Sequence, residues 1–158
     1  MLLYVFFRFL HFVAIFGVTA AVIIENLAVK PSISKEDAIN LAKISLIDNV
    51  SLLLTLMAGY TLWFWVGKPS EFYTENPVFL AKLIIFSIIL VFGFFPFNFF
   101  KRNKNSIQES LLVPPTTIFC VRLRGALLIV AVMLASVSYT HLRAHETDSY
   151  LVCRLLLE

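Results

Sequence analysis

Four long apolar runs, separated by shorter polar connections, dominate the hydrophobic pattern of this chain. They extend from about Leu2 to Ala28, from Ile44 to Val66, from Val78 to Phe100 and from Ile118 to about Ser136. About 20 apolar residues in an α-helix cross a hydrocarbon core of ~30 Å, so the first three runs can span a bilayer and the fourth is short for that task. We predict an all-α, four-helix transmembrane bundle, with residues 1–136 forming one membrane domain.

The connections carry signals for the helix boundaries. Pro31 is expected to stop the first helix, because proline lacks an amide hydrogen and disfavours helix in the preceding residue. Ser34 with Asp37 three positions later predicts a capping box for the second helix. The segment 35–43 then predicts an amphipathic lead-in at the membrane surface, and Pro96 predicts a kink in the third helix.

Composition supports a lipid environment. Hydrophobic residues make up 59% of the chain and charged residues 15%, with a mean hydropathy of +0.87, whereas an average soluble domain has about 25% charged residues. The net charge of +3 does not indicate nucleic-acid binding, because the basic residues cluster between the apolar runs. With two cysteines, no disulfide framework is predicted.

The distribution of basic residues predicts the orientation. The first and third connections, with the start of the fourth run, hold Lys30, Lys35, Lys43, Lys101, Arg102, Lys104, Arg122 and Arg124, whereas the second connection holds Lys68, with Lys82 just inside the membrane. By the positive-inside rule, the basic side is cytoplasmic and both termini lie outside, in a bacterial inner membrane. The bilayer is the expected partner. A homo-oligomer and a membrane redox partner both stay open.

The segment from Val137 to Glu158, VSYTHLRAHETDSYLVCRLLLE, differs in character from the rest. It resembles a translated sequencing adapter of the transposase type, because the codons GTC TCT TAT ACA CAT CTC CGA GCC CAC GAG encode its first part in one frame. We expect residues 137–158 to be a non-native tail and the fourth helix to be truncated. His141, His145, Glu146 and Cys153 are therefore excluded as metal ligands.

Ionisable residues inside the apolar runs form two predicted layers. The inner layer, near the predicted cytoplasmic face, is an intramembrane charge cluster of Glu25, Asp48, Arg122 and Arg124, with Asn49 nearby. Acids and bases at matching depth favour an ion-paired lock between helices. A proton or ion path through Glu25 and Asp48 is the alternative.

The outer layer holds Arg8, His11 and Lys82. Arg8 and Lys82 can extend towards the headgroups along their aliphatic stems. His11 is either a hydrogen-bonded core residue or a metal ligand, namely an axial ligand to haem. Since residues 1–136 contain no second intramembrane histidine, a six-coordinate haem would need Lys82 as the other ligand.

Motifs of hydrolases, metalloproteases and nucleotide-binding enzymes are absent from the sequence, which favours a non-enzymatic role without excluding an enzyme. The segments RFLHF near the start, DNV from Asp48 to Val50 and LWFWVGKPSEFYTENPVFLAKL from Leu62 to Leu83 resemble a bacterial family of small membrane proteins, domain of unknown function 2214. That resemblance covers most of residues 1–136 and implies a membrane topology without an activity.

A more distant likeness is to the small-membrane-type protoporphyrinogen oxidase and to copper-resistance D-type proteins. In that oxidase a histidine in the first helix and a lysine in the third are taken to ligate haem, which implies cofactor-binding roles for His11 and Lys82, with Arg8 near the propionates. The oxidase's other histidines are missing here.

Three functional hypotheses result. The first is a multi-pass membrane protein of unknown biochemical role whose intramembrane polar residues are structural. The second is a haem-binding redox protein, and the third is a proton-coupled transporter or channel subunit.

Overall fold

The computed structural model describes residues 2–67, 73–103 and 109–155. It contains helices α1 (Leu2–Ala28), α2 (Lys35–Thr61), α3 (Pro77–Asn103) and α4 (Pro115–Leu155), with short strands β1 (Ser32–Ser34) and β2 (Ser110–Leu112). All four helices are long and apolar enough to span a membrane. The predicted all-α bundle is therefore confirmed.

The helix boundaries follow from local chemistry. α1 ends at Ala28, shortly before Pro31, and α2 begins after Ser34, whose hydroxyl accepts a hydrogen bond from the amide of Asp37 at 3.1 Å. The predicted cap is thus present, and the lead-in 35–43 is continuous with the second span. The α2 helix passes into a π-helical turn at Leu62–Val66, which the sequence did not predict. Pro96 lies inside α3, which continues to Asn103.

The helices pack as neighbours in the order α1–α2–α3–α4, with α4 closing against α1. In this arrangement α1 faces α3 across the bundle, and α2 faces α4. The middle of the bundle is filled by an apolar group that we call the mid-bundle cluster, consisting of buried Val18, Val22, Leu52 and Ile89 with Ile85, Phe86, Leu127 and Leu128 packed against it.

A two-stranded antiparallel ribbon joins the first and third connections at one end of the bundle. Its register pairs Ser32 with Leu112 and Ile33 with Leu111, and both side chains of the second pair are buried. Beneath it lies the cap cluster, consisting of Val29, Ile33, Ala38, Leu41, Phe100, Leu111, Val113 and Val121. The sequence predicted these connections only as polar links, so the ribbon is a feature that it missed.

Two sets of residues used in the sequence predictions are not described by the structure. The first is Lys68 and Lys104, which were counted for the orientation, and the second is the side chains of the predicted tail 137–158. The backbone of α4 is helical as far as Leu155, and the adapter origin of the tail stays a prediction.

Candidate functional site

The buried polar centre of the bundle is an ion-paired group around Arg124, which we call the charge cluster (Glu25, Ser45, Asp48 and Arg124). Arg124 on α4 donates from Nη1 to Oε2 of Glu25 on α1 at 3.0 Å, and from Nη2 to Oδ2 of Asp48 on α2. All three side chains are 1% exposed or less. Ser45, three residues before Asp48 on the same helix face, donates its hydroxyl to Oε1 of Glu25 at 2.5 Å. One guanidinium therefore joins three helices.

The remaining helix, α3, contributes space for the guanidinium. A Cβ atom built on Gly93 of α3 would lie 3.1 Å from Cζ and Nη2 of Arg124 and 3.3 Å from its Nε. These distances are tighter than ordinary van der Waals contact, so a side chain at position 93 would require the guanidinium to move by a few tenths of an ångström. The absence of a side chain on α3 is what allows Arg124 to lie at the centre of all four helices.

Apolar layers lie on both sides of the charge cluster. On each helix, a residue at the depth of the ion pairs lies between a member of the mid-bundle cluster and a member of the cap cluster; on α3 this residue is Gly93. Named from the mid-bundle side to the cap side, these sets are Val22, Glu25 and Val29 on α1, Leu52, Asp48 and Leu41 on α2, Ile89, Gly93 and Phe100 on α3, and Leu127, Arg124 and Val121 on α4. The ion pairs are thus separated from both ends of the bundle by hydrocarbon.

This arrangement has clear electrostatic consequences. Charges taken out of water are tolerated only when they are paired and hydrogen-bonded, and breaking such a pair leaves an uncompensated buried charge. Two carboxyl groups face one guanidinium, so the cluster carries a net charge of −1 if all three groups are ionised. Within the part of the chain that the structure describes, Oδ1 of Asp48 and Nε of Arg124 are buried without a hydrogen-bond partner.

Arg122 is not brought to the charge cluster with which the sequence grouped it. Its side chain is exposed, and Nη1 donates to the backbone carbonyl of Asn26 at 2.8 Å. Asn26 itself donates to the carbonyl of Val121 at 3.0 Å. Both bonds connect α1 with α4 beside the cluster. Asn49, also named with this layer, donates to the carbonyl of Ser45 at 2.7 Å and stays within its own helix.

His11 lies half-buried at the other end of α1 and contacts α2. Its Nδ1 lies 3.0 Å from the backbone oxygen of Thr55, and since a carbonyl oxygen only accepts, Nδ1 carries the hydrogen. A Cβ on Gly59 would lie 3.0 Å from Cε1 of the imidazole. The missing side chain of Gly59 therefore lets the ring pack directly on the α2 backbone.

Arg8 and Lys82 are placed differently from His11. Arg8 is exposed, lies over the rings of Tyr4 and Phe12 at 5.9 Å from each centroid, and donates to the Tyr4 hydroxyl at 3.3 Å. It thus follows the outer surface of its own helix, as an arginine near a membrane interface does. Lys82 is half-buried on α3, the helix that faces α1 across the bundle.

No haem site is assembled among the described residues. The Nδ1–H of His11 is donated to Thr55, so Nε2 is the nitrogen that could ligate iron, but the ring packs directly on α2 and Lys82 lies on the helix that faces α1 across the bundle. A shallow apolar groove on the surface of α3 is lined by Leu83, Ile84, Ser87, Ile88, Val91 and Phe92, and includes neither residue. Among residues 2–67, 73–103 and 109–135, no group of three His, Cys, Asp or Glu side chains could hold a metal ion. No redox step follows from these residues.

Two members of the site were not predicted as functional. Ser45 and Gly93 are common residues in membrane helices, and neither carries a charge that would draw attention. The signal for Ser45 is its spacing of three from Asp48, which places both on one helix face. The signal for Gly93 is a residue of poor helix propensity inside an apolar run, which often marks a close approach.

Comparison with known proteins identifies the family. The family model described as "Predicted membrane protein (DUF2214)" matches residues 4–140. Searches of curated proteins and of solved structures found no match. Because the match covers most of the chain and the structure has four membrane-spanning helices, this chain belongs to the DUF2214 family of predicted membrane proteins.

Proposed function

We propose that this chain is a non-enzymatic, multi-pass membrane protein in which the charge cluster locks the four helices together. The observation that carries the proposal is the position of Arg124, which binds carboxylates from α1 and α2 while packing on Gly93 of α3. In hydrocarbon each of these charges is costly alone, so helices that separate lose the pairing. The lock therefore favours one packing of the bundle over others.

A proton-coupled transporter or channel subunit using Glu25 and Asp48 is the second candidate. The observation in its favour is the excess of one carboxyl group over the single guanidinium. Against it, the mid-bundle and cap clusters place apolar side chains on both sides of the ion pairs. A conducting path would need polar groups or water through those layers, so the geometry supports the lock better.

The cellular placement is part of the same proposal. The described basic residues of the first and third connections are exposed at the end of the bundle that carries the β-ribbon; they are Lys30, Lys35, Lys43, Lys101, Arg102 and Arg122. By the positive-inside rule that end is cytoplasmic, in a bacterial inner membrane. Residues 137–158 have no part in the proposal, since we infer that they derive from a sequencing adapter.

The test of the lock compares two arginines on the same helix. We expect Arg124→Met to lower the free energy of unfolding in detergent by about 3–5 kcal/mol, because it leaves two buried carboxyl groups without a cation. The control, Arg122→Met, removes an exposed guanidinium with one hydrogen bond to Asn26 and should cost about 1 kcal/mol or less. Unfolding by sodium dodecyl sulfate, followed by circular dichroism, measures both. Equal effects of the two variants would contradict the lock.

A further inference from the structure

The two carboxyl groups of the charge cluster are unequally supplied with hydrogen-bond donors. Both oxygens of Glu25 accept a bond, one from Ser45 at 2.5 Å and one from Arg124 at 3.0 Å. Asp48 accepts only from Arg124, through Oδ2. Asp48 is 0% exposed, and its Oδ1 has no hydrogen-bond donor among the described residues. Glu25 thus has a donor at each oxygen, whereas Asp48 is paired with Arg124 through one oxygen only.

The charge balance of the surroundings supports the same distinction. Glu25 is the acidic group that α1 brings to this layer, and Arg124 is the cation that α4 brings; Cys120 lies one turn before Arg124 and Arg122 faces outwards. Gly93 of α3 is uncharged, and the nearest basic residues along α3 in the described chain, Lys101 and Lys82, are about 12 and 16 Å away along the helix axis. On α2 itself the nearest basic residue to Asp48 is Lys43, which is exposed and lies about 7–8 Å away along the helix axis. Arg124 is therefore the buried cation that the two carboxyl groups share.

We propose that Asp48 is a proton-binding site and that it carries a proton on Oδ1 while Glu25 and Arg124 form the ionised pair. Uptake takes one proton from the aqueous phase and forms one O–H bond at Oδ1, which changes the net charge of the cluster from −1 to zero. The neutral cluster avoids a bare anionic oxygen in hydrocarbon, whose cost is otherwise uncompensated. This inference rests on the proposed lock, since the Glu25–Arg124 pair is its ionised part.

Infrared spectroscopy of the detergent-purified full chain at neutral pH tests the proposal. A protonated carboxyl group gives a C=O stretching band that is separate from the bands of ionised carboxylates. We expect this band in the unsubstituted protein, a shift to lower frequency when aspartate is labelled with carboxyl ¹³C, and no shift when glutamate is labelled instead. The labelling experiment needs no substitution, so it does not depend on whether a variant folds.

The assignment to one residue uses a matched pair of variants. The sequence contains three aspartates, Asp37, Asp48 and Asp148, of which Asp148 lies in the tail 137–158 and Asp37 is exposed in the first turn of α2. The band should disappear in Asp48→Asn and persist in Asp37→Asn. Absence of the band at neutral pH would overturn the proposal, and so would a band that shifts with labelled glutamate. The first result would indicate that Asp48 is ionised and shares Arg124 with Glu25, and the second would indicate a proton on Glu25.

The failures of the lock and of the proton site are distinguishable. Unchanged stability in Arg124→Met contradicts the lock, whatever the infrared spectrum shows. A missing aspartate band contradicts the proton site even if Arg124→Met unfolds readily, because ion pairing of Arg124 with both carboxylates would still hold the helices.

Discussion

At the scale of single residues, the shape of the guanidinium, more than the number of its partners, offsets the free-energy cost of burying Arg124. Its guanidinium is planar and presents donors in a fixed fork, so two carboxyl groups on different helices can each bind one terminal nitrogen. Gly93 provides the space on the fourth side. A lysine at position 124 would offer a point charge on a flexible stem and could not hold both carboxyl groups in the same fixed arrangement.

His11 yields a prediction at the same scale. Because the imidazole packs directly on the α2 backbone at Gly59, we expect the purified protein, produced with added haem precursor, to show no Soret band. His11→Ala should lower the free energy of unfolding by about 1 kcal/mol through the lost hydrogen bond. Thr55→Ala is the control, since it leaves the accepting carbonyl in place. A Soret band that vanishes in His11→Ala would restore the haem hypothesis.

The sequence predicted the depth of the charge cluster in the membrane but not which basic residue of α4 belongs to it. Acids and bases at matching depth pointed to Glu25, Asp48 and Arg124, because hydropathy places charges along the membrane normal. Depth says little about direction around a helix. Arg122 and Arg124 differ by two residues, or about 200° around the axis, so only one of them can face Glu25. Which one does so depends on how α4 packs, which the apolar pattern of a lipid-exposed helix leaves poorly determined.

At the scale of elements, the helices were predictable and the ribbon was not. A run of about 20 apolar residues needs no tertiary information to be assigned as a spanning helix. Strands β1 and β2 have three residues each and are separated by most of the chain. Their pairing depends on α1, α2, α3 and α4 first bringing the two connections together. The exposed–buried–exposed pattern of each strand is too short to be distinguished from a loop.

The register of the ribbon gives a prediction for this scale. Val113 donates to Pro31 at 2.9 Å and Lys35 to Glu109 at 3.1 Å, which makes Ser32 and Leu112 a non-hydrogen-bonded pair, the type with the closer side chains. In a chain with Cys120→Ala and Cys153→Ala, we expect Ser32→Cys with Leu112→Cys to form a disulfide on mild oxidation. Faster migration in non-reducing electrophoresis measures it.

The control for the ribbon moves one of the two cysteines by two residues along β2, from position 112 to position 110. Ser32→Cys with Ser110→Cys places the two sulfurs in a diagonal pair, with Cα atoms about 7–8 Å apart, beyond comfortable disulfide reach. Cross-linking of this pair with equal or higher yield would contradict the register that we describe.

At the scale of the whole molecule, the bundle is layered along the membrane normal. The ribbon and the cap cluster lie at one end, followed by the charge cluster, the mid-bundle cluster and the half-buried His11. The ionised layer is thus nearer to the basic end than to the aromatic end, where Tyr60, Trp63 and Phe64 pack together. On the proposal that Asp48 binds a proton, the route to it from the basic end crosses the cap cluster.

The orientation of these layers is accessible to a matched pair of cysteine substitutions. Glu36 near the start of α2 and Glu75 before α3 are both exposed, and they lie at opposite ends of the bundle. With Cys120→Ala and Cys153→Ala as background, we expect a membrane-impermeant maleimide to label Glu75→Cys in intact cells whose outer membrane is permeable to the reagent. Glu36→Cys should be labelled only after the inner membrane is opened, because the basic end is retained in the cytoplasm. Both substitutions remove the same charge, so a difference in labelling reports position alone. The reverse pattern would place the basic end outside, and proton exchange at Asp48 through the cap cluster would then face the opposite compartment.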